Sequence, residues 1–422
     1  MKKTLIILEK ILLAVLCGIL FTAIFDKHLV KILYFLALIL WFTLNILKYK
    51  SKFYKGFLCY TFSNKAIIIF FLAAVISTIF SLKPYQSQEI LFQTYLPYFI
   101  FFFLGVDLTR NSISPIGLNL FGKRVFLSNL SIITGFVLLL ATIIGVGGVW
   151  DYFRFHPARL WTFFGKEISF KMLPVYLVYF IPFSLSFFIH IKNKLLKIIG
   201  FIIFGLLFFV LICNGSRGAW LAVIAFLIFA ILFSKKRSIY LFFFFLITVT
   251  VLIIPQHYQQ RLKTMLQPFN KDAFVARKEL FNLAGSIFIA KPVFGAGVGM
   301  YEFVDSPVKR FSANGVHLHA HNTYLEVLSE MGIVGLLAFL SIFAMFFKNV
   351  FRTVRLCPNN NIQAIQIGLI SLIFSGLIFA LSCTVITVGF HSAVVFWILF
   401  GVSSGLGSKD VSNSALSGKV LR

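Results

Sequence analysis

Long apolar runs recur along almost the whole chain, broken by short polar connections, and they leave a lipid bilayer as the solvent in which this sequence can fold. A spanning helix needs about 20 predominantly apolar residues. Such runs stand at residues 5–25, 29–47, 66–82, 89–106, 125–150, 172–190, 195–213, 219–233, 239–255, 332–347, 364–388 and 392–406. The pattern predicts an all-α polytopic membrane protein of about twelve transmembrane helices, because only internally hydrogen-bonded segments can cross hydrocarbon. Composition agrees: of 422 residues, 59% are hydrophobic and 12% charged, and the mean hydropathy is +0.95. A soluble domain carries about 45–50% apolar and about 25% charged residues. A soluble enzyme is therefore excluded, since a single ordinary core cannot hide this much apolar surface.

The formal net charge of +26 would suggest nucleic acid in a soluble protein. In this chain the cations flank apolar runs, which predicts topology signals and membrane lipids as partners and no nucleic acid. An even number of spans puts both termini on one side. If that side is the cytoplasm, its connections carry Lys48, Lys65, Arg110, Lys123, Arg124, Lys192, Lys194, Lys197, Lys235, Lys236, Arg237, Lys348, Arg352 and Arg355, among others. The count is about 22 basic residues inside against about 8 in the short outside loops, so the positive-inside rule predicts cytoplasmic termini. Lys2 and Lys3 before an apolar run resemble a secretory leader, but Glu9 and Lys10 interrupt it and no small-residue cleavage site follows, so an uncleaved first helix is expected. Cys17, Cys59, Cys213, Cys357 and Cys383 show no paired spacing, and neither a disulfide framework nor a zinc site is indicated.

Four regions follow. Residues 1–255 hold the first nine spans, 256–331 form one large outward loop, 332–406 hold the last three spans, and 407–422 form a cytoplasmic tail expected to be disordered. A loop that long within a compact domain is functional or disordered. Residues 272–290 repeat apolar side chains at helical spacing (Phe274, Leu280, Phe281, Ala284, Ile287, Phe288), which predicts an interfacial helix on the membrane surface. A second outer loop, 151–171, is rich in aromatic and basic residues.

Chemistry concentrates in three places. The stretch HLHAHNTYLEVLSEMGIVG carries His317, His319 and His321 at alternate positions, and Asn322 is placed to cap the helix that follows. A neutral imidazole at position 321 can take a proton from a hydroxyl near pH 7; a hydrogen-bonded histidine in a helix-start turn would show the same sequence. Metal binding is disfavoured, because alternate spacing suits a strand and no carboxylate is adjacent. The second place is NGSRGAWL, where Arg217 at the outer end of a span has no acidic sequence neighbour, so it either snorkels to water or meets an anionic ligand. Gly215 and Gly218 would let a bulky head group approach. The third is Arg277 in the interfacial helix, with the KPVFGAGVGMYEF segment after it; GAGVG lacks the βαβ context of a dinucleotide site and reads as a close-packed turn. Arg261 is a weaker candidate for a phosphate. The chain has 13 carboxylates and no Asp-x-Asp or adjacent acidic pair. A diphosphate, if handled, must then be neutralised by arginines rather than a bridging metal.

At these residues the sequence resembles the O-antigen ligase family of bacterial envelope glycosyltransferases, and with it the O-antigen polymerases and pilin-type oligosaccharyltransferases. The carrying motifs are Arg-x-x-x-Leu, met by Arg217 and Leu221, and His-Asn followed after nine residues by Gly-x-x-Gly, met by His321, Asn322, Gly332 and Gly335. The resemblance implies a GT-C-like fold in a bacterial inner membrane with the site and the large loop in the periplasm. It implies transfer of a polysaccharide from an undecaprenyl diphosphate carrier to a sugar hydroxyl of lipid A-core, with inversion, and with no cofactor and no metal. His321 would be the base, Arg217 and Arg277 with Arg261 would hold the diphosphate, and Asn322 and His319 would support them. A polymerase differs in its acceptor, another carrier-linked unit; a protein O-oligosaccharyltransferase is a further alternative. A transporter of lipid-linked sugars, the alternative from another class, usually shows repeats and ionisable groups at the membrane midplane, and neither is evident here.

Overall fold

A computed structural model describes residues 2–25, 27–49, 62–110, 116–120, 123–156, 160, 162–163, 166–167, 172–253, 271–304, 319–357, 359–387 and 390–406. In chain order the helices are α1 (Lys2–Phe25), α2 (Lys27–Tyr49), α3 (Phe62–Ile79), α4 (Pro84–Arg110), α5 (Asn129–Phe155), α6 (Met172–His190) and α7 (Lys194–Asn214). They continue as α8 (Arg217–Phe233), α9 (Arg237–Ile253), α10 (Lys271–Ala290), α11 (Thr323–Leu356), α12 (Asn360–Phe379) and α13 (Phe390–Leu406). Eight of the described helices are long and apolar enough to cross a membrane, and four shorter apolar ones, in α3, α8, α9 and α13, stand where the other expected spans lie. The architecture is that of a polytopic helical membrane protein.

The most enclosed helix is α6, flanked by α7, α8 and α12, while α4 and α13 form another closely packed pair. Outer helices show the reverse: on α2, Ile32, Phe35, Ile39 and Ile46 are each more than half exposed at helical spacing, an apolar stripe that only lipid can solvate. Glu9, which interrupts the first apolar run, is buried and accepts from Asn129 Nδ2 at 2.7 Å. Asp107 on α4 likewise accepts from Trp41 Nε1 on α2 at 2.8 Å. Asn129 Nδ2 also donates to Leu108 O of α4 at 3.0 Å, so these contacts tie α1, α2, α4 and α5 together at one end of the bundle.

Three boundaries differ from expectation. Residues 116–127, partly read as the start of a span, pair as a hairpin, β1 (Ile116–Leu120) with β2 (Lys123–Leu127). The helix α5 begins only at Asn129, where the Ser128 side chain caps it by accepting from Ser131 N. The 364–388 run stays helical only to Phe379. The carbonyls beyond are used elsewhere: Ala380 and Cys383 accept from α11, and Val385 and Ile386 accept from Ser392 Oγ and Trp397 Nε1 on α13. Finally α11 starts at Thr323, before the expected span at 332, and breaks at Gly332, whose φ of 64° and ψ of −165° are not helical. A β-carbon there would strike the Val293 carbonyl, so glycine is required by both backbone and space.

The break is filled from residues 292–297. Ile333 N donates to Pro292 O, Ala296 N to Ser329 O and Gly297 N to Glu330 O. Ser77 Oγ of α3 donates to the same Glu330 carbonyl at 2.7 Å. Gly295, Gly297 and Gly299 all have positive φ, so GAGVG is the close-packed turn expected from the sequence. The helix α10 forms as expected and docks on α11 through Leu280, Leu283, Ala284 and Ile287. The expected face was off by part of a turn: Leu283 is buried and Phe281 is 37% exposed.

Candidate functional site

The head of α11 is built from its cap. Asn322 Oδ1 accepts from Tyr324 N at 2.9 Å and Leu325 N at 3.1 Å, satisfying two of the donors that a helix start leaves open. The residue before it, His321, is half-buried and left-handed at φ 51°, a conformation uncommon outside glycine that persists where surroundings impose it. Ala320 is fully buried with Tyr301, Met300 and α10. Its N–H donates to Glu326 Oε2 at 3.2 Å, while Glu326 Oε1 lies 3.4 Å from His319 Nδ1.

The end of α12 and the turn after it hold this head in place. Thr323 N donates to Ala380 O at 2.9 Å, Thr323 Oγ1 to Cys383 O at 3.0 Å and Tyr324 Oη to Leu377 O at 2.9 Å. The same turn meets the start of α8. A β-carbon on Gly218 would lie 2.5 Å from Ser382 Oγ and 3.0 Å from the Phe379 ring. Arg217 and His321 therefore flank residues 379–383 at one end of the bundle. Arg217 is put there by a tight reversal: Gly215, left-handed at φ 60°, ends α7 and the chain re-enters as α8. Asn214 Nδ2 and Cys213 O pin Leu160 against this corner. The Arg217 side chain is exposed.

Arg277 lies on α10, one turn before Leu280, Ala284 and Ile287 on the stripe that faces α11, and its side chain is exposed. The link from this helix to the α11 head is Tyr301, whose hydroxyl donates to Leu280 O at 2.6 Å and whose N–H donates to Glu330 Oε1 at 3.3 Å. Burial, and then the nearby Glu326 and Glu330, push the Tyr301 phenol well up, so it remains a donor at neutral pH. Arg261 and His317 lie outside the described residues. Among the described residues no three or more His, Cys, Asp and Glu side chains gather as metal ligands.

Sequence reading missed Glu326, Glu330 and the 379–383 turn. No carboxylate neighbours the histidines in sequence, yet Glu326 folds back on residues 319 and 320. The available signal was its place in the first helical turn, where an acid can reach upstream donors. Nothing local marked the turn, whose partners are about 60 residues away.

Residues 202–340 match the family model described as O-antigen ligase. The O-antigen ligase match runs from within α7 to within α11 and takes in Arg217, Arg261, Arg277, His319, His321 and Asn322. Against curated proteins, the chain is 26% identical over 217 residues to the teichuronic acid biosynthesis protein TuaE of Bacillus subtilis (strain 168). That alignment covers 47% of this chain and 44% of the relative, so the chain spans less than half of the relative's length. Together with the O-antigen ligase match, it points to glycosyltransferase-like membrane enzymes of polysaccharide biosynthesis, of ligase or polymerase type.

Proposed function

We propose that the protein is an inverting, metal-independent O-antigen ligase. It would move a polysaccharide from undecaprenyl diphosphate to a sugar hydroxyl of lipid A-core, on the periplasmic face of a bacterial inner membrane with both termini in the cytoplasm. The observation that carries the reading is the 379–383 turn, which abuts the start of the Arg217 helix and is hydrogen-bonded to the head of the His321 helix. His321 removes the proton of the acceptor hydroxyl, and the oxygen attacks the anomeric carbon as its bond to the diphosphate breaks. The proton stays on the imidazole until product leaves, and the charge released on the diphosphate meets the Arg217 and Arg277 guanidinium groups.

Electrostatics support the role of Arg217. A cation in the first turn of a helix faces the positive end of the macrodipole, where an anion is favoured. A diphosphate bound there would satisfy both the guanidinium and the N–H groups of the first α8 turn, for which the Ser216 side chain provides no cap. Arg261 and Arg277 would add charge from the loop, and Asn322 and His319 would support the base.

The polymerase reading keeps the same donor and changes only the acceptor. The relative's role in teichuronic acid biosynthesis is compatible with either. Purified protein given a carrier-linked glycan should attach it to lipid A-core, and the rate should survive chelation. Growth of the carrier-linked chain alone would make the protein a polymerase, and vectorial movement of the lipid with no linked product would make it a transporter. The His321→Ala variant should lose transfer by at least about 100-fold while remaining folded; full activity in it sinks the assignment of the base.

A further inference from the structure

We propose that Glu326 is a positioning residue for His321, holding the backbone upstream of the imidazole from inside the protein. The inference rests on the reading of His321 as the base. Glu326 is 1% exposed, and a buried carboxylate is costly unless its oxygens are partnered. One oxygen accepts from the Ala320 N–H at 3.2 Å and the other lies 3.4 Å from His319 Nδ1. In a capping box, the acid in the first helical turn reaches back to the N–H of the cap residue. Glu326 sits one position later than that, and it reaches past Asn322 and His321 to residues 320 and 319.

His321 stands between two sets of restraints. Downstream, Asn322 is fixed by its own cap bonds, and Thr323 by Ala380 and Cys383. Upstream, Ala320 is fully buried, and the bond that fixes its peptide plane is the one to Glu326. Loss of that bond would free the 319–320 peptide plane, so that Ala320 and the next plane, which it shares with His321, could turn and let the imidazole swing away. Stability alone does not favour an acid here, since Glu330 is buried on the same helix face one turn later.

The clamp depends on reach rather than on charge. Glutamine can accept from Ala320 N–H and donate its NH2 to Nδ1 of a neutral His319. Aspartate keeps the charge but is a methylene short. In the glycan-transfer assay, Glu326→Asp and Glu326→Ala should lower kcat by about 10–100-fold, with the donor KM within about twofold of wild type. Glu326→Gln should restore kcat to within about threefold of wild type. Wild-type kcat in Glu326→Asp overturns the inference, as does a Glu326→Gln protein as slow as Glu326→Ala at an unchanged melting temperature. A loss confined to donor KM overturns it too. If Glu326→Ala fails to fold, the Asp and Gln variants decide. Amide exchange at residues 319–322 separates the two readings. Faster exchange in Glu326→Asp alongside an inactive wild type sinks the transferase reading and keeps the clamp; unchanged exchange sinks the clamp.

Discussion

Asn322 is next to the proposed base, and its side chain works on the backbone: it accepts from the N–H groups of Tyr324 and Leu325. Replacing it by alanine exposes two donors at the start of α11 and should cost about 1 kcal/mol of local stability. Asn322→Asp, which keeps an acceptor oxygen in place, should cost less. Hydrogen exchange over residues 323–326 measures both, and equal protection in wild type and Asn322→Ala would show the cap to be idle. This pair of residues was legible in sequence. His-Asn before an apolar run reads as a capped helix start, because capping depends on residues two or three apart. Glu326 was not legible, because its partners lie on the far side of the cap and are reached only once the helix has formed.

The element that joins the site to the membrane is α11, and its break was only half legible. Gly332 was read as the start of a span, whereas the helix begins nine residues earlier and is interrupted there. The apolar run could not reveal this, since the reason for the break is the 292–297 segment that fills it. Gly332→Ala puts a β-carbon against the Val293 carbonyl at a φ of 64°. It should destabilise the protein by about 1–3 kcal/mol or more, seen as a lower melting temperature in detergent with α10 exchanging faster. An unchanged melting temperature would mean that the head and the 292–297 turn separate freely. The failure at 364–388 has a related cause. Apolar composition continued past Phe379, but the carbonyls of the next residues are taken by α11, up to 60 residues away, and by α13 across the turn, contacts that hydropathy averaged over a window does not register.

At the scale of the whole molecule, the long apolar helices were legible because bilayer thickness fixes the length of a crossing segment. The basic connections Lys192–Lys197, Lys235–Arg237 and Lys348–Arg355 fall at the end opposite to Arg217 and His321. If that end faces the cytoplasm, a cysteine at Lys235 in a cysteine-free background should resist a membrane-impermeant reagent in intact spheroplasts, whereas one at Glu302 should react. The reverse pattern would invert the protein and put the site on the wrong side for a periplasmic donor. How the arginine and histidine helices come to share one corner was not legible, because it depends on a turn contributed by a third helix.

The interruption at Gly332 also bears on how the protein tolerates its surroundings. A continuous rod would pass every change of tilt, imposed by a thicker or thinner bilayer, straight to its outer tip. The 292–297 segment bridges the break, bonded to Ser329 and Glu330 on the tip side and to Ile333 below, and the tip is also tied sideways to Ala380 and Cys383, so a lean of the membrane-crossing part is met at the joint before it reaches the imidazole. Turnover should therefore depend little on acyl-chain length.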